Sequence, residues 1–136
     1  MDYTDLVPQH KFDFERIALL KTQSLDAIRS LIPELLKWLQ DGNWPIFTEI
    51  QSVLLPFDRE LVPHLRTILK LNDGDWKYFL LMGLVRRLSE EALLDLKQDI
   101  MDIAHTPTTS DRDSGADEIA KELLDAIYCM EGKRET

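Results

Sequence analysis

A chain of 136 residues with 44% hydrophobic content can bury one core and is short for two, so a single domain over residues 1–136 is expected. A net charge of −9 and a pI near 4.7 disfavour phosphate backbones and anionic lipid as ligands. The longest uncharged apolar run, Tyr78 to Val85, is too short to span a bilayer, and the acids Asp2 and Asp5 stand where an export signal would carry positive charge.

A cytoplasmic protein with no membrane or nucleic-acid partner is therefore expected. The single cysteine, Cys129, can form neither an internal disulfide nor a thiolate metal site, which agrees with a reducing compartment.

In chain order, Phe14, Ile17 and Ala18 predict a first helix from Asp13 to about Lys21. Ser24 caps a segment bearing Leu25, Ile28 and Leu31, and Pro33 opens another bearing Leu35, Leu36 and Leu39, stopped by Asp41 and Gly42. Asn43 is the predicted cap of the next helix, with Ile46, Phe47, Ile50, Val53 and Leu54 on its buried side. Asp58 is the predicted cap of a helix carrying Leu61, Leu65, Ile68 and Leu69, with Pro63 near its first turn.

Trp76 to Leu88 is apolar nearly all round and predicts a buried central helix. Ser89 caps the next, whose Leu93, Leu96, Ile100 and Ile103 face inward while Asp95, Asp99 and Asp102 face away. Residues 106–114, rich in Thr, Ser and Asp, predict a flexible surface loop. Ser114 and Asp117 then open a last helix with Ile119, Leu123, Ile127 and Met130, fraying over 131–136.

No strand pattern occurs, so the fold class is all-α. Ile32 to Leu39 aligns with Val62 to Leu69 at an offset of 30, and Trp44 to Phe47 aligns with Trp76 to Phe79 at an offset of 32. Two helices per period of that length predict stacked antiparallel helix pairs, a HEAT- or armadillo-like superhelix, with an irregular helical bundle as the alternative.

Val7, Pro8, His10, Lys11 and Asp13, then Pro33 to Leu39 with Trp38, then Gln40, Asp41, Asn43, Trp44 and Pro45 form a recognisable series. Leu55, Pro56 and Phe57, and later Trp76, Lys77 and Tyr78, extend it. With these residues the chain resembles a bacterial domain-of-unknown-function family of small HEAT-like helical proteins. The resemblance implies the helical fold and carries no activity with it.

Trp38, Asp41, Asn43, Trp44, Trp76 and Lys77 are the leading candidate binding cluster, because equivalent turns of stacked pairs share one edge. Indole rings, a cation and amide or carboxylate groups together suit the grip of a peptide or protein. The competing structural account is capping by Asn43, ring burial and an Asp41–Lys77 ion pair. Lys11 and Asp13, near His10, form a second polar cluster if the N-terminal segment folds back across a groove.

Asp95, Asp99 and Asp102 are a candidate acidic interaction stripe for a basic partner; residues 89–136 hold 13 acids against 5 bases, whereas residues 1–88 hold 12 against 11. Asp102 with His105, and Glu60 with His64, lack the second matching pair of a di-iron site, and Asp73 to Asp75 lacks the rest of a calcium loop. No phosphate loop, serine elbow or cysteine–base pair occurs, so no cofactor and no metal are expected.

The leading expectation is a non-enzymatic protein-binding module, with a toxin-neutralising immunity protein as one concrete version. The alternatives are a small-molecule or metal-dependent enzyme near Lys11, Asp13, His64 and His105, and a structural subunit of an assembly.

Overall fold

The structure is a computed structural model that describes residues 4–135, with side chains over 5–133. Among the described residues every regular element is an α-helix or a 3₁₀ turn. The expectation about an export signal falls partly on residues 1–3, outside the described residues.

After a 3₁₀ turn at Thr4–Leu6 come α1 (Phe14–Lys21), α2 (Leu25–Arg29) and α3 (Ile32–Leu36), the last prolonged by a 3₁₀ turn at Lys37–Leu39. Next are α4 (Phe47–Leu54), a 3₁₀ segment Leu55–Leu61, α5 (Val62–Leu69) and α6 (Gly74–Met82). A 3₁₀ turn at Val85–Arg87 leads to α7 (Glu90–Asp95), α8 (Lys97–His105), α9 (Thr109–Ser114) and α10 (Ala116–Glu135). No described helix is long and apolar enough to cross a membrane.

The predicted inner stripes form one core. Ile32, Leu35, Leu36 and Leu39 are buried at the same register as Val62, Leu65 and Leu69, and Pro33 and Pro63 each sit in the first turn, where a missing N–H costs nothing. Leu80, Leu81, Leu84 and Val85 are fully buried, as predicted for the central segment. That segment is nevertheless broken: α6 stops at Gly83, where an added Cβ would lie 2.5 Å from Gln51 Nε2. Gln51 is buried there and accepts from Arg87 across 3.1 Å, so close approach of α4 ends the helix.

Three predicted caps fall elsewhere. Asn43 caps no helix; its N–H donates to Asp41 Oδ1 in an Asx turn, and α4 begins at Phe47 without a side-chain cap. Asp58 does not cap α5. It has a positive φ of 44°, and its carboxylate accepts the N–H and hydroxyl of Ser89, which in turn caps α7. Ser114 and Asp117 form no capping box; Thr108 and Asp111 do, one element earlier.

That capping box corrects the predicted loop over 106–114, most of which is the helix α9, ended by Gly115 at φ +84°. Apolar periodicity could not reveal it, because none of its side chains is apolar. α9 is held to α6 by polar contacts instead: Lys77 and Asp111, both buried, pair at 3.0 Å, and Gly74 N–H donates to Ser110 Oγ at 2.8 Å. α10 continues through Glu135, and Thr136 lies outside the described residues.

Long-range ion pairs tie distant elements together: Lys21–Glu49 spans 28 residues, Arg29–Glu60 31, Arg66–Asp99 33, Lys77–Asp111 34, Lys97–Glu131 34, and Arg59–Asp95 and Arg86–Glu122 36 each. These separations spread to either side of the offsets of 30 and 32 read from the sequence.

Two substitutions test this account. Gly74→Ala places a Cβ 2.1 Å from the Ser110 carbonyl oxygen, backbone that cannot swing aside, and is expected to destabilise by about 1–3 kcal/mol in urea unfolding. Lys77→Met strands the buried Asp111 carboxylate and is expected to cost about 3–5 kcal/mol, measured the same way.

Candidate functional site

The turn between α3 and α4 is built by Asp41, whose carboxylate takes the Asn43 N–H at 2.8 Å and whose carbonyl takes the Trp44 N–H at 3.2 Å. Gly42 is required because an added Cβ would lie 2.6 Å from the Phe79 ring of α6. This turn directs Trp44 onto Trp38, with ring centroids 5.4 Å apart at 63°, an edge-to-face pair.

Both indoles are half-buried, and with Val7, Pro8 and Gln40 they line an open groove of about 340 Å³. Glu34 and Lys37, paired with each other at 3.2 Å, complete its wall. The groove is therefore apolar at its base and neutral at its rim.

The N-terminal segment does fold back across this region. Ile46 N–H donates to Lys11 carbonyl oxygen at 3.3 Å, which seats residues 10–13 beside the 41–46 turn. Lys11 is exposed with its ammonium over the Phe12 ring, and Phe12 and Phe14 are 57% and 48% exposed, which widens the aromatic surface. Asp13 is buried and caps α1. It accepts from Gln9 N–H at 2.8 Å, from Arg16 N–H at 3.3 Å and from the Arg16 guanidinium at 2.9 Å.

Burial alone would push the Asp13 carboxyl up, yet the hydrogen bonds from Gln9 and Arg16 and the Arg16 charge hold it below the ordinary carboxylate value. Asp13 thus shapes the edge by fixing the start of α1.

The leading cluster is only partly assembled. Trp76 belongs near the edge, since its indole N–H donates to Leu36 carbonyl oxygen at 3.2 Å. Lys77, one residue on, is turned to a different side of α6 and pairs with Asp111 rather than Asp41. A step of one residue rotates a helical side chain by about 100°, so adjacent residues cannot both face the turn.

The expected acidic stripe, which the structure divides between the end of α7 (Asp95) and α8 (Asp99 and Asp102), is largely consumed inside the fold. Asp95 accepts from Arg59 at 2.9 Å and raises that guanidinium's pKa; Asp99 is buried and accepts from Arg66 at 3.1 Å; Asp102 is exposed and accepts from Gln98. The outward acidic stripe lies instead on α10, where Glu118, Glu122 and Asp125 are exposed at helical spacing, Glu122 also accepting from Arg86 at 3.4 Å. Their i, i+4, i+7 pattern was legible in the sequence. What hid it was the assumption that acids opposite an apolar stripe face water, which fails when another helix covers them.

His64 is half-buried on α5, His105 is exposed at the end of α8, and Cys129 is exposed rather than set beside the core. Among the described residues no group of three or more His, Cys, Asp or Glu side chains is arranged to hold a metal ion.

Asp13→Ala is expected to cost about 1–2 kcal/mol by loss of the cap. Because the folded pKa is lowered, that contribution is complete above the unfolded value of about 4 and fades as pH falls through the lower folded value. Chemical unfolding of wild type and Asp13→Asn at neutral and acidic pH checks it: the gap between them should narrow only below about pH 4.

No curated protein sequence matches the chain. The family described as "Domain of unknown function (DUF5071)" matches residues 6–124, most of the length, and the chain belongs to that family.

Proposed function

We propose that this protein is a non-enzymatic binding module that grips another protein along the Trp38–Trp44 edge. The observation that supports it best is the half-exposed, edge-to-face indole pair at the base of an open apolar groove. Tryptophans in such settings dominate interface energies because a rigid, large apolar area is desolvated at little entropic cost. Phe12 and Phe14, exposed on the neighbouring segment, extend the surface a partner could cover.

The neutral rim suits an apolar side chain of the partner. Long-range attraction comes from elsewhere: Glu118, Glu122 and Asp125 of α10 favour a partner with a basic surface and would act chiefly on the association rate. An immunity-type protein that blocks a basic toxin by covering it is one concrete form of this activity. Stacked helix pairs of the HEAT type fit the same reading, and the matched burial and first-turn prolines of α3 and α5, 30 residues apart, support that arrangement.

Trp38→Ala and Trp44→Ala are each expected to weaken binding of a partner captured by the wild-type chain by about 2 kcal/mol, roughly thirtyfold. Tyr128→Ala on α10 should leave affinity within about twofold. Titration calorimetry on the three variants decides it: equal affinity of wild type and both tryptophan variants for that partner would remove the aromatic edge as the site.

A further inference from the structure

A polar cavity of about 170 Å³ lies beside the Lys77–Asp111 pair, between α5, α6, α8 and α9. Its interior combines groups of both signs. Lys77 is 3% exposed and lines the cavity, and Asp111 Oδ1 is the acceptor given to its ammonium among the described residues. An ammonium carries three N–H donors, so two remain for whatever fills the space.

Across the cavity stands Asp99, also buried. One of its oxygens takes Arg66 Nε at 3.1 Å, and the other oxygen is the acceptor left for an occupant. At the mouth Asp102 is exposed, with one carboxylate oxygen accepting only a neutral amide from Gln98. Thr106 and Thr108 supply hydroxyls, and Leu69 and Ile103 supply a small apolar wall.

The charges are balanced in a particular way. Asp111 compensates Lys77 and Arg66 compensates Asp99, while the exposed Lys70 and Asp102 bring one further charge of each sign to the lining, so neither a bare anion nor a bare cation gains from entering. A molecule carrying an acceptor for Lys77 and an amine for Asp99 and Asp102 satisfies both ends. The volume is that of about six water molecules, which limits the occupant to a small backbone with a short side chain.

We propose that this cavity binds a small zwitterion of the free amino-acid class, its carboxylate on the Lys77 ammonium and its amine on Asp99 and Asp102. A buried ion pair replaced by packed apolar residues is often no less stable. The Lys77–Asp111 pair that fastens α9 also faces an open polar space, and its ammonium has donors to offer an occupant there.

The test uses the full-length chain, isotope-labelled, titrated with L-alanine and L-serine to about 10 mM, with D-ribose and citrate as the other chemical classes. The expected result is saturable shifts of the amide signals of Lys77, Asp102, Thr106, Thr108 and Asp111 with the amino acids, and an affinity about tenfold lower in Asp102→Asn. Asp102 is exposed, so that variant keeps the fold. Absence of saturable shifts with both amino acids, unchanged affinity in Asp102→Asn, or saturation by ribose or citrate instead would overturn the proposal.

Discussion

The contact between Lys77 and Asp111 carries an unusual share of this architecture, because it fastens an element that hydrophobicity cannot. α9 is Thr-Ser-Asp-Arg-Asp-Ser, with no apolar side chain to bury. Its attachment to α6 rests on a buried ion pair at 3.0 Å, on the Gly74 N–H to Ser110 hydroxyl bond, and on a glycine that lets the two backbones nearly touch. Asp111 serves twice, since its second oxygen accepts the Thr108 N–H in the capping box. Removing either charge would leave the other buried without its ion-pair partner.

The same pair sets how much of the fold can be read from residues alone. Helices that bury a stripe announce themselves: Ile32 to Leu39 and Val62 to Leu69 keep register across 30 residues, and their prolines mark the first turns. α9 has no stripe, so a polar run that reads as loop is in fact helix. The break of the central segment at Gly83 was equally hidden, because it follows from Gln51 and Phe47 of another helix approaching within contact of Gly83. Local pattern records burial; it does not record which distant backbone stands where.

Site legibility divides along the same line. That the N-terminal segment lies beside the Trp44 turn follows from the Ile46 N–H to Lys11 carbonyl bond, and grouping of Trp38 with Trp44 follows from a short turn fixed by Asp41. The tryptophan pair depends on near neighbours in sequence, whereas the Lys11–Ile46 bond joins residues 35 apart. The placement of Lys77 depends on α9, 34 residues away, and the fate of Asp95 and Asp99 depends on Arg59 and Arg66, 36 and 33 residues before them. Charge counting in a segment predicts its field only when the partners of those charges lie in the same segment, and here they do not.

The contrast between the three tryptophans separates core from edge. Trp76 has its indole N–H committed to Leu36 carbonyl oxygen, so its ring is a fixed strut between α6 and the end of α3. Trp38 and Trp44 instead meet each other at the base of a groove. Ile32, Leu35 and Leu36 of α3 and Ile50, Val53 and Leu54 of α4 show the branched aliphatics that serve the core alone. Two large rings left partly exposed cost solvation that folding does not recover, and a partner that covers them would recover it on binding. That asymmetry, more than the acidic surplus, is the physical reason to read this face of the molecule as an interface.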